Sequence, residues 1–293
     1  MTIVAAAAYP ISAPKDFAEW EAKTTAWVGE AAGRGAKVLV FPEYGLTELA
    51  ALGGRRWGED HFGAIAAIAE AAPEAAKLFA RLAATHGVFI LAGSTPVQDG
   101  NRLVNRAFLY APGGGATPID KLAPTRWERE AIDMKGGEGP TVFDTPAGRF
   151  GVLICYDSEF PLHARAVAEA GATTLLIPSC TETEAGYWRV RIGAQARALE
   201  NQFWVAQAPL IGNADWAEMV ETNRGAAGVY GPPDLGFPPD GVAELGGRER
   251  PGWVVANCDP APVKRVRKDG GVLNFAHWPE QAAKVRVSEV TLR

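Results

Sequence analysis

Cysteine and histidine are scarce in this chain, with three and four copies among 293 residues. The cysteines Cys155, Cys180 and Cys258 are an odd and sparse set that forms no disulfide framework, which points to a reducing, cytoplasmic compartment. The histidines His61, His86, His163 and His277 include no metal-spaced pair, so the sequence offers no metal site. Runs of basic residues are missing. With 29 Lys and Arg against 34 Asp and Glu, the formal net charge is -5, which argues against a nucleic-acid partner. No stretch reaches the roughly 18 apolar residues that a membrane span needs. Met1 to Pro10 is apolar but carries neither a basic leader nor a cleavage-site pattern, so it reads as a first strand and not as a signal peptide. Cofactor signatures are also wanting. Gly93-Ser94-Thr95 is not a Gly-x-Ser-x-Gly elbow, and Gly113 to Gly115 lacks the helix and the Gly-Lys-Ser/Thr ending of a phosphate cradle.

What remains is an ordinary globular composition, 47% hydrophobic and 22% charged, able to bury a sizeable core. Short apolar runs alternate with helical patterns. Thr2 to Ala8, Lys37 to Phe41, Val88 to Gly93, Arg149 to Cys155, Thr173 to Pro178 and Phe203 to Ala208 read as strands, and Trp253 to Cys258 as one more. Asn101 to Tyr110 and Thr117 to Lys121 read as strands around a glycine turn. Asp16 to Ala32, 59–72, 74–86, Leu162 to Ala170 and Tyr187 to Asn201 read as helices, with Pro73 as a break between the second and third. The glycine- and proline-rich stretch 231–252 reads as loop. The alternation predicts an α/β class. No linker or repeat divides residues 1–293, so a single domain is expected, with 260–293 as a tail that wraps a surface or a partner.

Three segments each place a reactive side chain just after a buried strand, where open α/β sheets form ligand sites. They are Val38 to Glu48 with Glu43, Ile119 to Arg129 with Lys121 and Glu128, and Gly151 to Pro161 with Cys155. Amide cleavage needs such a set. A thiol needs a base or a neighbouring cation to become nucleophilic. A carboxylate takes the thiol proton and passes it to the leaving amine. A lysine ammonium lowers the thiol pKa and faces the developing oxyanion, with the N–H after the nucleophile, that of Tyr156, as a second donor.

FPE around Glu43, DKLAPTRWER around Lys121 and GVLICYDSEFP around Cys155 resemble, in this order, the motifs of the carbon–nitrogen hydrolase (nitrilase) superfamily. The later Ile177-Pro178-Ser179 and Ala196 to Asn201 also resemble it, so the matches run from the first strand to about residue 230. The resemblance implies a Glu43–Lys121–Cys155 triad with Glu128 as an additional active-site carboxylate. It also implies a four-layer αββα sandwich, a homodimer, a thioester intermediate, and neither metal nor cofactor. The Cys-Tyr-Asp sequence is closer to amidases, and Trp127-Glu128-Arg129 is closer to nitrilases, so a small-molecule amide leads as substrate and a nitrile is second. Glu159 stands where anion-binding relatives are basic, which favours a neutral or amine-bearing amide; it also suits a helix entry. Trp127, Tyr187 and Trp188 are candidate pocket walls or core aromatics. Other readings of the same residues are an acyl transferase and a catalytically inactive scaffold.

Overall fold

The computed structural model describes residues 2–53 and 60–292. In chain order its elements are β1 (Ile3–Pro10), α1 (Phe17–Gly33), β2 (Val38–Val40), a 3-10 turn (Gly45–Gly53), α2 (His61–His86), β3 (Phe89–Asp99), β4 (Arg102–Tyr110), β5 (Ala116–Asp120), α3 (Arg126–Ile132), β6 (Thr141–Thr145), β7 (Gly148–Val152), a 3-10 turn (Cys155–Glu159), α4 (Pro161–Glu169), β8 (Thr174–Ser179), α5 (Glu184–Asn201), β9 (Trp204–Asn213), β10 (Thr222–Asn223), β11 (Gly228–Tyr230), β12 (Val242–Leu245), β13 (Gly252–Asn257), α6 (Pro260–Asp269) and α7 (Asn274–His277).

The strands run in the order β5-β4-β3-β2-β1-β9-β8-β7-β6. β13 adds to β1, and β11 and β12 extend from β9. β1 belongs to one half and β9 to the other, and they pair only at Tyr9–Leu210 and Pro10–Ile211, so the order divides into two packed sheets. The alternation of β1 shows how they stack. Val4, Ala6 and Ala8 share one core cluster with Phe150, Val152 and Leu175 of the second sheet. Ala5, Ala7 and Tyr9 share the other with Trp20, Val28, Leu78 and Phe79 of α1 and α2. On the far side, Gly151 of β7 lies against α4. A Cβ there would sit 2.4 Å from Val167 Cγ1, and overpacking of this kind costs about 1–3 kcal/mol. The layers are therefore α1/α2, sheet, sheet, α4/α5, the expected αββα sandwich.

Three expectations change. The two alanine-rich helices are one, His61–His86, with Pro73 inside it; the expected start at residue 59 lies outside the described residues. Pro73 and Ala69, whose carbonyl loses its N–H partner, are both exposed, so water can meet that carbonyl and the helix continues. The stretch 231–252 is not all loop, because Val242–Leu245 pairs with Gly228–Tyr230. Residues 260–293 are not uniformly a tail. Val263 and Val266 anchor α6 in the core, a 3-10 helix follows α7 over Trp278–Lys284, and only 270–273 and 285–292 lack regular structure, with Val285, Val287, Val290 and Leu292 exposed. Among the described residues no helix is long and apolar enough to cross a membrane.

Candidate active site

The expected site residues converge at the ends of strands from both sheets. β2 leads to Glu43, β5 to Lys121, β7 to Cys155 and β8 to Cys180. The Glu43 loop packs tightly on β3: a Cβ on Gly93 would lie 2.9 Å from Gly45 Cα, so only glycine allows that approach. Cys155 does not end a strand, as its apolar run suggested. The strand stops at Val152, and Cys155 opens a 3-10 turn with φ of 49°, a left-handed conformation that costs a non-glycine residue on the order of 1–3 kcal/mol. The surroundings hold it there. Ser158 Oγ donates to the Cys155 carbonyl at 2.6 Å. The Asp157 carboxylate accepts from Ile154 N at 3.0 Å and from Ala123 N at 2.7 Å, and also from Leu122 N, so it staples the Lys121 loop to the Cys155 turn.

Lys121 is buried between two carboxylates. Its Nζ lies 2.7 Å from Glu43 Oε1 and 2.7 Å from Glu128 Oε2. Asn105 Nδ2 donates to both glutamates at 3.0 Å. Glu128 also accepts from Tyr44 OH at 2.7 Å and from Thr125 N at 2.6 Å. Thr125 caps α3 in a capping box with Glu128, which fixes this side chain locally. Glu43 Oε2 accepts from Cys180 N at 2.9 Å, and the Cys155 thiol points at the Cys180 carbonyl, 3.4 Å away.

These environments separate the groups. Burial pushes Glu43 up from the ordinary 4.5 to about 7, against the pull of Lys121. Burial also works on Glu128, but Lys121 and its other donors overcome it and hold it below the ordinary range. Lys121 stays charged, since the two carboxylates outweigh its burial. Two like carboxylates with divergent pKa values are a signature of divided acid and base roles. The thiol departs from expectation. Burial and the Glu43 carboxylate push Cys155 well above the usual thiol range and outweigh Lys121, which favours the protonated thiol.

A cavity of about 490 Å³ opens onto this cluster. Trp127, Tyr156 and Glu159 line it, and so do Cys180, Arg126, Arg189, Glu182 and Met219. Tyr187 and Trp188 are not among its lining residues. Tyr187 turns into the core and Trp188 outward, where its indole donates to Glu184 Oε1 at 2.7 Å. Glu159 faces Arg189 at 3.6 Å, which offsets its charge. Cys258 is core, and Glu48 is held by Tyr9, Ser12 and Lys23, away from the cavity. Asn105, Tyr44 and Asp157 escaped the sequence reading as site residues; the one signal was the position of Tyr44 and Asp157 beside motif residues. Among the described residues no group of three or more His, Cys, Asp or Glu side chains is placed to hold a metal ion.

The carbon–nitrogen hydrolase family model matches residues 3–231, a span that contains Glu43, Lys121, Glu128 and Cys155. The probable hydrolase YhcX of Bacillus subtilis is 32% identical over 259 residues, covering 87% of this chain and 49% of that protein. The omega-amidase NIT2 of Danio rerio is 30% identical over 196 residues, covering 62% of this chain and 65% of that protein. The chain thus spans about half of the first relative and just under two thirds of the second. The crystal structure of Nit3 of Saccharomyces cerevisiae, a nitrilase-superfamily member, superposes with a TM-score of 0.69 at 21% identity, covering 91% of this chain and 93% of that one. The Nesterenkonia sp. AN1 amidase superposes with a TM-score of 0.68 at 20% identity, covering 91% and 97%. These two likenesses are of fold. With the family match spanning most of its length, the chain belongs to the carbon–nitrogen hydrolase family.

Proposed function

We propose that this protein is an amidase that converts a small neutral or amine-bearing carboxamide to the acid and ammonia through a thioester on Cys155. The observation that carries this reading is the joint lining of one cavity by Cys155, Glu43 and Lys121, with Glu43 at a pKa of about 7. A base poised near working pH is effective in both directions of proton transfer. In the first step the Cys155 sulfur attacks the amide carbon while its proton passes to Glu43. The tetrahedral oxyanion is held by the Lys121 ammonium and the Tyr156 N–H. The C–N bond then breaks, and the protonated Glu43 gives its proton to the departing nitrogen. Water, deprotonated by Glu43, attacks the thioester; the C–S bond breaks, the acid leaves and the thiol is restored. Glu128, saturated by four donors, keeps Lys121 charged and aimed and does not shuttle protons.

The family membership and the amidase names among relatives support the reaction class. An ammonia-release screen on amides, nitriles and carbamoyl compounds, with mass spectrometry of Cys155, tests it. Ammonia from amides with an acyl mass on Cys155 is the expected result. Turnover of nitriles alone would replace the amidase reading, and no ammonia from any compound would leave a binding protein. Two copies are proposed to pair through α4 and α5, on the support of the exposed Leu162 and Ile192; a monomer in sedimentation velocity would remove that proposal.

A further inference from the structure

Cys180 meets the two reacting groups with its main chain and anchors itself with its side chain. Its N–H donates to Glu43 Oε2 at 2.9 Å and its carbonyl accepts from Cys155 Sγ at 3.4 Å. Its own thiol turns to Asn223 Oδ1, 3.1 Å away. Asn223 is fully buried, and its amide nitrogen donates to the carbonyls of Val220 at 2.7 Å and Gly212 at 3.1 Å. That leaves its oxygen to face the thiol, so Cys180 must be the donor. The next residue repeats the tie: Arg224 N donates to the Thr181 carbonyl at 2.8 Å, and Thr181 Oγ1 donates to the Arg224 carbonyl at 2.8 Å. Two independent contacts thus bind the segment after β8 to the segment at β10.

We infer that Cys180 and Asn223 are positioning residues, whose thiol–amide contact clamps the peptide that sets Glu43 against Cys155. Nothing in the proposed chemistry uses the half-buried Cys180 sulfur, and desolvation together with the Glu43 carboxylate keeps it protonated, as a donor must be. Reacting groups misplaced by a fraction of an ångström lose rate steeply. Loosening the clamp also withdraws an N–H from the Glu43 carboxylate, which otherwise faces Lys121, Glu128, Tyr44 and the two thiols. Its proton is then held more tightly, so the acid limb of reactivity moves to higher pH.

The kinetic consequence rests on the amidase reading, so the test is run first without a substrate. The rate of Cys155 alkylation by iodoacetamide, followed by peptide mapping across pH, is compared for the wild type, C180A, C180S and N223A. C180A and N223A are expected to react about tenfold more slowly at Cys155, with the acid limb displaced upward. C180S, whose hydroxyl can still donate to Asn223, is expected to recover most of the rate and the original pH profile. The kcat on an active amide should follow the same order, with KM little changed. A C180A profile superimposable on the wild type overturns the clamp. So does C180S matching C180A, since the sulfur would then act by volume. If no amide is turned over, the alkylation series still decides the clamp while the amidase reading fails separately.

Discussion

At the buried end of the cavity, Lys121, Glu43, Glu128, Asn105 and Tyr44 hold one another at 2.7–3.0 Å with almost no exposure. At the rim, Arg189 lies 3.6 Å from Glu159 with 62% of its side chain exposed, and Arg126 turns away to Glu130 with 87% exposed. The two regions use the same residue types to different ends. In a dry cluster each charge acts through a low dielectric, and removing one strands its partners. At a wet rim, charges are screened and the pair is loose enough for a ligand to compete for either member. The chemistry is therefore expected to be brittle and the selectivity adjustable.

The largest effects should come from the buried end. C155A is expected to abolish ammonia release while the protein still folds, as read by circular dichroism. K121A should in addition lower stability by about 3–5 kcal/mol in urea denaturation, because two buried carboxylates lose their cation. If K121A unfolds no more easily than C155A, the buried cluster is not the electrostatic unit described. Next come the two glutamates. E43Q should reduce turnover by about 10²–10⁴-fold, and should cost less stability than E128Q because burial already disfavours the Glu43 carboxylate. E128Q should destabilise by roughly 1–3 kcal/mol, because an amide nitrogen would then face donors. Equal stability losses in the two variants would erase the distinction between them.

The same pair gives a pH dependence of known sign. Glu43 is raised in the folded protein from 4.5 to about 7, so over that window the native state binds more protons than the unfolded one. Stability contributed at this position therefore falls as pH rises from 4.5 to 7, while the reactivity of Cys155 rises. E43Q should flatten both slopes, in thermal melts and in rate profiles. Glu128, whose pKa is depressed, acts oppositely: its contribution is present above the ordinary carboxylate range and is lost as pH falls through its lowered value. The smallest effects belong to the rim. E159Q should raise KM for amine-bearing amides by no more than about fivefold, and R189A should lower it by a similar factor, with kcat unchanged in both. A preference for anionic amides in the wild type would reverse this assignment.

Much of the fold was legible because its signals are local. The β1 alanines, the β-branched run before Pro42 and the apolar strand before Cys155 declare buried strands by composition. Pro73 misled because its effect depends on which face of α2 it occupies, and that face is a tertiary property. The short β11–β12 pairing hides among glycines and prolines because its stability comes from packing on β9. Tyr187 and Trp188 look alike in sequence, but the turn of α5 sends neither into the cavity.

By itself, the sequence determined that a glutamate, a lysine and a cysteine each follow a strand, in an order and spacing that single out one family; that the strand before Lys121 is a mostly exposed edge strand is a tertiary fact. The sequence could not say that Asn105 grips both carboxylates and Tyr44 grips Glu128, or that burial holds the thiol protonated. Those properties depend on burial and on donors such as Cys180 N, 137 residues from Glu43 in the chain. Charge and proton affinity are set by the groups within a few ångströms, and only the packing of the two sheets decides which groups those are.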